Sequence, residues 1–160
     1  MKAVIAQGQQ LALLCSYMKD KIEIEFNPAQ VQGFAVLSDS DVFVAGVIIS
    51  NLRYSNKEPI DCEISCATET SIAWKPGVCR AIFGYVFGQL GCARCTSIVM
   101  KKNTRSREFL EALNFQLEGN LRKAYDGKKD ALIYGLLAEE CQFYGDLNGQ
   151  EIDTRRACAA

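Results

Sequence analysis

The chain has no histidine among its 160 residues. Without imidazole there is no Ser-His or Cys-His nucleophilic pair and no histidine-ligated metal centre, which removes a large share of hydrolase chemistry. Any proton transfer must use carboxylates, hydroxyls, phenols, lysine or water. An excess of either charge is missing too. Eighteen Lys and Arg against nineteen Asp and Glu leave a formal charge of -1, so nothing draws the chain electrostatically to nucleic acid or to an anionic membrane. Long apolar runs are absent: stretches such as 42–50 fall well short of the roughly 20 residues that cross a bilayer. The N-terminus lacks a basic region followed by an apolar signal segment. A cytoplasmic protein is therefore expected, with neither nucleic acid nor membrane as partner. No low-complexity stretch argues for disorder. A composition of 49% hydrophobic and 23% charged residues matches an ordinary domain that buries a single core.

Cysteine, in contrast, is plentiful, with eight residues. Cys62 and Cys66 are spaced C-x-x-x-C, and Cys92 and Cys95 are spaced C-x-x-C, so a four-sulfur zinc site can be drawn from them. Cys62 and Cys66 also fall on one side of an extended apolar run, where a free cysteine behaves as a small buried hydrophobe. The second reading is preferred, and no metal is expected. Disulfides are not expected in a reducing cytoplasm.

Periodicity gives the order of elements. Residues 1–6 form a short apolar strand, and Leu11, Leu14, Cys15 and Met18 recur at helical spacing within 9–21. After Asn27-Pro28 the pattern turns β-branched and aromatic. Strands are expected at 33–37 and 42–50 around the polar turn 38–41, then at 60–67 after the turn 55–59. Val78, Ala81, Ile82, Tyr85, Val86 and Leu90 mark one face of a helix that begins at Pro76 or Gly77 and stops at Gly91. A strand at 95–100 follows, and a strand, helix, strand run of this length is a crossover between parallel neighbours. Asn103 is a good N-cap for a helix to Leu113 with Phe109, Leu110 and Leu113 on its buried face. Two last strands, 115–123 and 131–138, surround the turn 126–129. The pattern predicts a mixed α+β protein with one domain over 1–145 and a loose tail over 146–160.

From Tyr85 to Cys141 the residues resemble GNAT acetyltransferases. The segments are Tyr85 to Arg94 (YVFGQLGCAR), Asn103 to Leu110 (NTRSREFL), Asn114 to Arg122 (NFQLEGNLR) and Tyr134-Gly135. Within them the pattern N-x-x-S-x-x-F-L-x-x-L-x-F-x-x-E-G-x-L-R runs from Asn103 to Arg122. The branch it resembles is the ribosomal-protein N-acetyltransferases and related phage-encoded enzymes. The resemblance extends over about residues 40–141; upstream only the order of elements agrees. It implies a GNAT-like fold: a central mixed, mostly antiparallel sheet of roughly six to seven strands with a splayed parallel pair, flanked by about three to four helices.

The same resemblance implies acetyl transfer from acetyl-CoA, as co-substrate, to a primary amine by direct attack in a ternary complex. The acceptor is left open between a protein N-terminus, a lysine and a small-molecule amine. A homodimer is common in the family. Backbone amides at Cys66 and Ala67 would hold the pantetheine arm and polarise the thioester carbonyl. The segment Ile72, Ala73, Trp74, Lys75, Gly77 and Val78 at the helix start would meet the pyrophosphate. Lys75 and Arg80 read equally well as solvated surface residues, and Trp74 as a loop anchor. Asn103, Ser106 and Phe109 match positions facing the cofactor. Ser106 is the hydroxyl suited to reprotonate the thiolate, or else an N3 residue in a capping arrangement. Glu63, then Glu69, are the candidate bases, with a solvated carboxylate as the alternative for each. Glu118 is read as structural. A covalent acetyl-cysteine route is set aside, since no histidine could activate the thiol. Two departures from the family pattern stand out. The loop over 71–78 has a single glycine, and Leu110 occupies the position where many members carry an acidic tyrosine. They motivate two further readings: a degenerate domain that binds acyl-CoA or a protein partner without turnover, and a zinc-stabilised interaction module built on the four cysteines.

Overall fold

The computed structural model describes residues 1–70 and 73–144; the expected tail over 146–160 lies outside them. Seven strands and three α-helices follow one another as β1 (Lys2–Ala6), α1 (Gln9–Ile22), β2 (Gln32–Leu37), β3 (Phe43–Ser55), β4 (Glu58–Thr68), α2 (Pro76–Phe83), β5 (Arg94–Met100), α3 (Thr104–Ala112), β6 (Gln116–Leu121) and β7 (Ala131–Leu137). They form one sheet in the order β1-β2-β3-β4-β5-β7-β6. Every pairing is antiparallel except β4 with β5, which are joined by α2 as a crossover of the usual kind. The mixed, mostly antiparallel sheet with one parallel pair is thus the architecture expected.

Local chemistry sets the turns. Asn56 and Lys57 both have positive φ, 51° and 70°, the geometry a tight two-residue hairpin needs to match strand twist. It lets β3 and β4 run longer than the sequence pattern suggested. The Ser38 hydroxyl accepts from the Val42 amide at 3.1 Å and closes the β2–β3 turn.

The helix expected to reach Leu90 changes character at Gly84. Residues Gly84–Gln89 are π-helical, and the Leu90 amide bonds to the Tyr85 carbonyl at 2.8 Å. Its buried residues explain this. Val78 and Cys79, Ile82 and Phe83, and Val86 and Phe87 recur every four positions. A regular α-turn of 3.6 residues would rotate that stripe off the sheet, and a wider turn keeps it in place.

The two faces of the sheet carry separate cores. On one, Leu14, Cys15 and Met18 of α1 pack with Ala6, Ile48 and Ala67. On the other, α2 and Leu110 of α3 pack with Val47, Ile49, Cys62 and Ile64. Helix α1 lies close because Gly33 and Gly46 sit beneath it. A Cβ at Gly46 would fall 2.5 Å from Leu14 Cδ1 and 3.3 Å from Met18 Sδ, both on buried side chains. Gly46→Ala is expected to cost about 1–3 kcal/mol through overpacking. Gly77→Ala, whose new methyl meets nothing within 4 Å, should be neutral or stabilising by up to about 1 kcal/mol. Urea midpoints measure both, and equal midpoints would contradict the close approach of α1.

Candidate active-site cleft

Strands β4 and β5 pair for only three residues, Asp61 with Arg94, Cys62 with Cys95 and Glu63 with Thr96, although both continue well beyond. After Thr96 the ladder stops and the strands part. Which groups face the gap follows from alternation along each ladder. The Glu69 amide bonds to Val44, so Ala67, two residues earlier, turns its N–H and C=O to Gly46 of β3. Cys66 turns its own toward β5. The Ile64 carbonyl faces the same way and accepts from Ser97 Oγ at 3.1 Å. On β5, the Lys101 amide bonds to Asp130, so Val99 and Ser97 face β7 while Ile98 faces the gap. The sheet therefore opens onto a wedge into which the backbone groups of Cys66 and Ile98 point. A crevice opens there, walled by Ser65, Cys66, Ile98, Asn103, Ser106 and Phe109 among others, and reached by Ile22, Ile24 and Tyr125 from the α1 side.

Helix α3 forms the wall of the wedge. Asn103 caps it, its Oδ1 accepting from the Ser106 amide at 3.1 Å, which makes Ser106 the N3 residue. The cap uses only the Ser106 backbone and leaves its hydroxyl on the cleft wall. From β7, the buried Tyr134 holds α3 by donating to Glu111 at 3.0 Å. Of the expected buried face only Leu110 is fully buried; Phe109 and Leu113 are half-buried because they border open space. Phe109 meets Trp74 at 5.2 Å between ring centroids, and both line a second, narrow apolar crevice behind Cys66. Trp74 thus packs its loop against α3 and lines that apolar space rather than the wedge itself.

At the start of α2, Lys75 is the extended N-cap and Pro76 the first helical residue. The Ala73 amide bonds to Thr70 and the Val78 amide to Lys75. Among the described residues, the amides of Trp74, Lys75 and Gly77 have no such partner. Lys75, Gly77 and Arg80 are exposed. Ile72 lies outside the described residues.

On the opposite face, Glu63 is half-buried, and its Oε2 accepts from Asn51 at 2.9 Å. Glu69 is elsewhere, past the end of β4, in an exposed ion pair with Lys21 at 2.8 Å. Its hydrogen bond to Lys21 holds its carboxyl below the usual range. Beside Glu63 the buried Asp61 accepts from Thr96 Oγ1 at 3.1 Å and pairs with Arg53 at 2.7 Å. Arg94 reaches Asp61 at 3.6 Å and Glu118 at 2.6 Å. The Arg94–Glu118 pair lies across Gly135, where a Cβ would fall 2.2 Å from Glu118 Oε1. Glu118 therefore has the structural part expected of it, and the Tyr134-Gly135 pair has a reason for each residue.

Among the described residues the cysteines are buried, except for the half-buried Cys66. Cys62, Cys92 and Cys95 are buried together under β4 and β5, and among the described residues no three His, Cys, Asp or Glu are grouped to hold a metal ion. Desolvation, followed by the Cys79 thiol nearby, pushes Cys66 up to about 12, and desolvation pushes Cys79 up to about 11.

Sequence reasoning missed Ile98, Ser97, Ser65, Asn51 and Tyr125. Ile98 and Ser97 lie in an ordinary apolar strand, and only the register distinguishes them. Tyr125 stands beside a turn but reaches back 103 positions, its hydroxyl donating to the Ile22 carbonyl at 3.0 Å; no local pattern signals such a contact.

No protein-family model matches the chain, and no curated protein matches it. Solved structures do match. A chimera of spermidine N-acetyltransferase SpeG from Vibrio cholerae and hSSAT has a TM-score of 0.70 at 13% identity, over 86% of this chain and 96% of that one. An acetyltransferase of the GNAT family from Bacillus anthracis gives 0.62 at 16% identity, over 88% and 97%. A ribosomal-protein-S5-alanine acetyltransferase from Vibrio fischeri gives 0.60 at 14% identity, over 84% and 71%. At these identities the likeness is one of fold, and the chain has the fold of GNAT acetyltransferases.

Proposed function

We propose that the chain is an acetyl-CoA-dependent N-acetyltransferase acting on a primary amine, a single domain over 1–145 working in the cytoplasm. The observation that carries this reading is the wedge, where backbone groups of Cys66 and Ile98 face open space between two parted strands. Backbone polar groups seek partners, and the amides of an extended pantetheine arm are partners of the right kind. When bound, acetyl-CoA supplies an activated acyl group on a good leaving thiolate. The Cys66 amide, rather than that of Ala67, polarises the thioester carbonyl. Phe109 and Trp74 cover the arm, and Asn103, while capping α3, keeps its amide nitrogen for the same face. The pyrophosphate is assigned to the amides of Trp74, Lys75 and Gly77 at the start of α2, with Lys75 adding charge; Ala73 and Val78, whose own amides are bonded, border this loop.

Glu63 takes a proton from the acceptor ammonium through water, because an ammonium has no lone pair. The freed amine attacks the carbonyl, the N–C bond forming as the C–S bond breaks, and the nitrogen gives its remaining extra proton to water. Ser106 Oγ, on the cleft wall, gives a proton to the departing sulfur and regains one from water. No cysteine forms a bond in this scheme. The Cys66 thiol, held up at about 12, stays neutral between pH 6 and 9, where a nucleophile would need its thiolate. The branch we favour is that of ribosomal-protein N-acetyltransferases with phage-encoded relatives, on the pattern from Asn103 to Arg122, and a homodimer is the assembly we favour. Among the described residues no helix is long and apolar enough to cross a membrane. A second reading, a domain that binds acyl-CoA without turnover, draws on Leu110, which gives the cleft an apolar wall where an acid would serve.

Thiol release from acetyl-CoA across a panel of primary amines tests the proposal. Turnover is expected, with kcat lowered about a hundredfold or more by Glu63→Gln. Cys66→Ala should retain kcat within about tenfold, and mass spectrometry of the working enzyme should find no acetylated cysteine. Acetyl-CoA binding with no turnover on any amine would overturn transfer in favour of the second reading. Asn103→Ala should lower stability by about 1 kcal/mol through the lost cap and weaken acetyl-CoA in calorimetric titration; unchanged affinity would remove α3 from the cofactor site.

A further inference from the structure

Strand β3 carries one residue too many where it meets Glu63. Ser50 pairs with Glu63, but the next pairing down the ladder is Arg53 with Asp61, so Asn51 and Leu52 together stand opposite Cys62. This is a β-bulge, and Asn51 in it has φ 49°, in the left-handed region that asparagine tolerates better than most residues. The bulge decides which way Asn51 points. Side chains alternate along a regular strand; Ile49 lies in the core on the α2 side, and residue 51 would follow it there. Instead Leu52 packs against that core, and Asn51 turns to the α1 side, where its Nδ2 donates to Glu63 Oε2 at 2.9 Å.

Ser50, directly across from Glu63, faces the same side. It is only 5% exposed, and its hydroxyl has no hydrogen-bond partner among the described residues. Ser50, Asn51 and Glu63 all line one polar pocket. Buried hydroxyls are nearly always bonded, and in a polar pocket water is the usual partner.

We propose that the bulge makes Ser50 and Asn51 the positioning residues of Glu63: Asn51 pins Oε2, and Ser50 holds the relay water against Oε1. The inference rests on the acetyl-transfer reading with Glu63 as its base, and deepens it. The last torsion of a glutamate is broad and roughly two-fold, so a fixed donor on one oxygen sets where the other points. Directly opposed residues have Cβ atoms about 5 Å apart, so a water that donates to Oε1 can accept from Ser50 Oγ at the same time. Its second lone pair takes the proton of the acceptor ammonium as its own proton passes to Oε1; the water is restored, the amine is free and Glu63 is left as the acid. Glu63 and Ser65 project from the same face of β4, about 7 Å apart, and Ser65 lines the wedge, so the relayed proton has a short path.

The test is kinetic, with acetyl-CoA and the best amine of the panel. Asn51→Gly removes the donor and keeps the backbone, because glycine takes positive φ freely; its thermal midpoint should hold. Its kcat should fall about tenfold, with KM for both substrates changed by less than about twofold. Asn51→Asp, which sets a like charge against the carboxylate, should fall further. Ser50→Ala should hold or raise the midpoint and lower kcat severalfold. In the Glu63→Gln background, Asn51→Gly and Ser50→Ala should cost nothing further, since both act through the carboxylate. Wild-type kcat in Asn51→Gly, or losses that multiply in the Glu63→Gln background, would overturn the positioning role while transfer stands. A wild type that acetylates no amine would overturn both readings, and that result is visible before any variant is made.

Discussion

A parallel strand pair that begins to form and then stops is the constraint around which this molecule is organised. Strands β4 and β5 are locked at their start and free at their end. The lock is made of charge: Asp61 of β4, 5% exposed, is held by Thr96 and Arg94 from β5 and by Arg53 from β3. A carboxylate buried to that degree is stable only with such partners, and losing one would leave an uncompensated charge. Three residues after Asp61, the Ile64 carbonyl accepts from Ser97 Oγ in place of the backbone amide that a continuing ladder would supply. The hydroxyl thus ends the pairing. Each strand keeps its outer neighbour, β3 for β4 and β7 for β5, so the opening does not unravel the sheet.

The two sides of the opening differ in character. On the α2 and α3 side, Trp74, Phe109 and Leu110 form an apolar wall, backed by buried cysteines whose thiols desolvation keeps neutral. On the α1 side, Glu63, Asn51 and Ser50 give a polar, negatively biased surface. A long, thin acyl carrier suits the first, and a cationic amine suits the second. The wedge is where the two would meet. The carboxyl of Asp61 is anchored in the strand lock, and Glu63 beside it is the carboxylate proposed for proton transfer.

The sequence disclosed much of the fold because most elements carry their own local signals. Asn103 caps where a cap was expected, the first helix ends at Ile22, next to the expected 21, and Glu118 is structural as read. The π-helical turn escaped because its cause is a four-residue recurrence of buried pairs, which resembles α-helical spacing until the contacts are known. The cleft was legible only in part. Cys66 was found and Ala67 proposed beside it, but whether an amide faces β3 or the gap depends on register across two strands, and no single segment encodes that. Ser50 reads as the polar end of an apolar run; that its hydroxyl has no hydrogen-bond partner among the described residues is a property of the folded chain alone.

The parted strands can be tested directly by following backbone amide resonances while acetyl-CoA is added. The account predicts large shifts and slowed hydrogen exchange at Cys66 and Ile98, with Ala67, already turned toward Gly46, changing little. Acetyl-CoA that binds without moving Cys66 and Ile98, or that does not bind at all, would contradict the assignment of the wedge as the site where the acyl carrier lies.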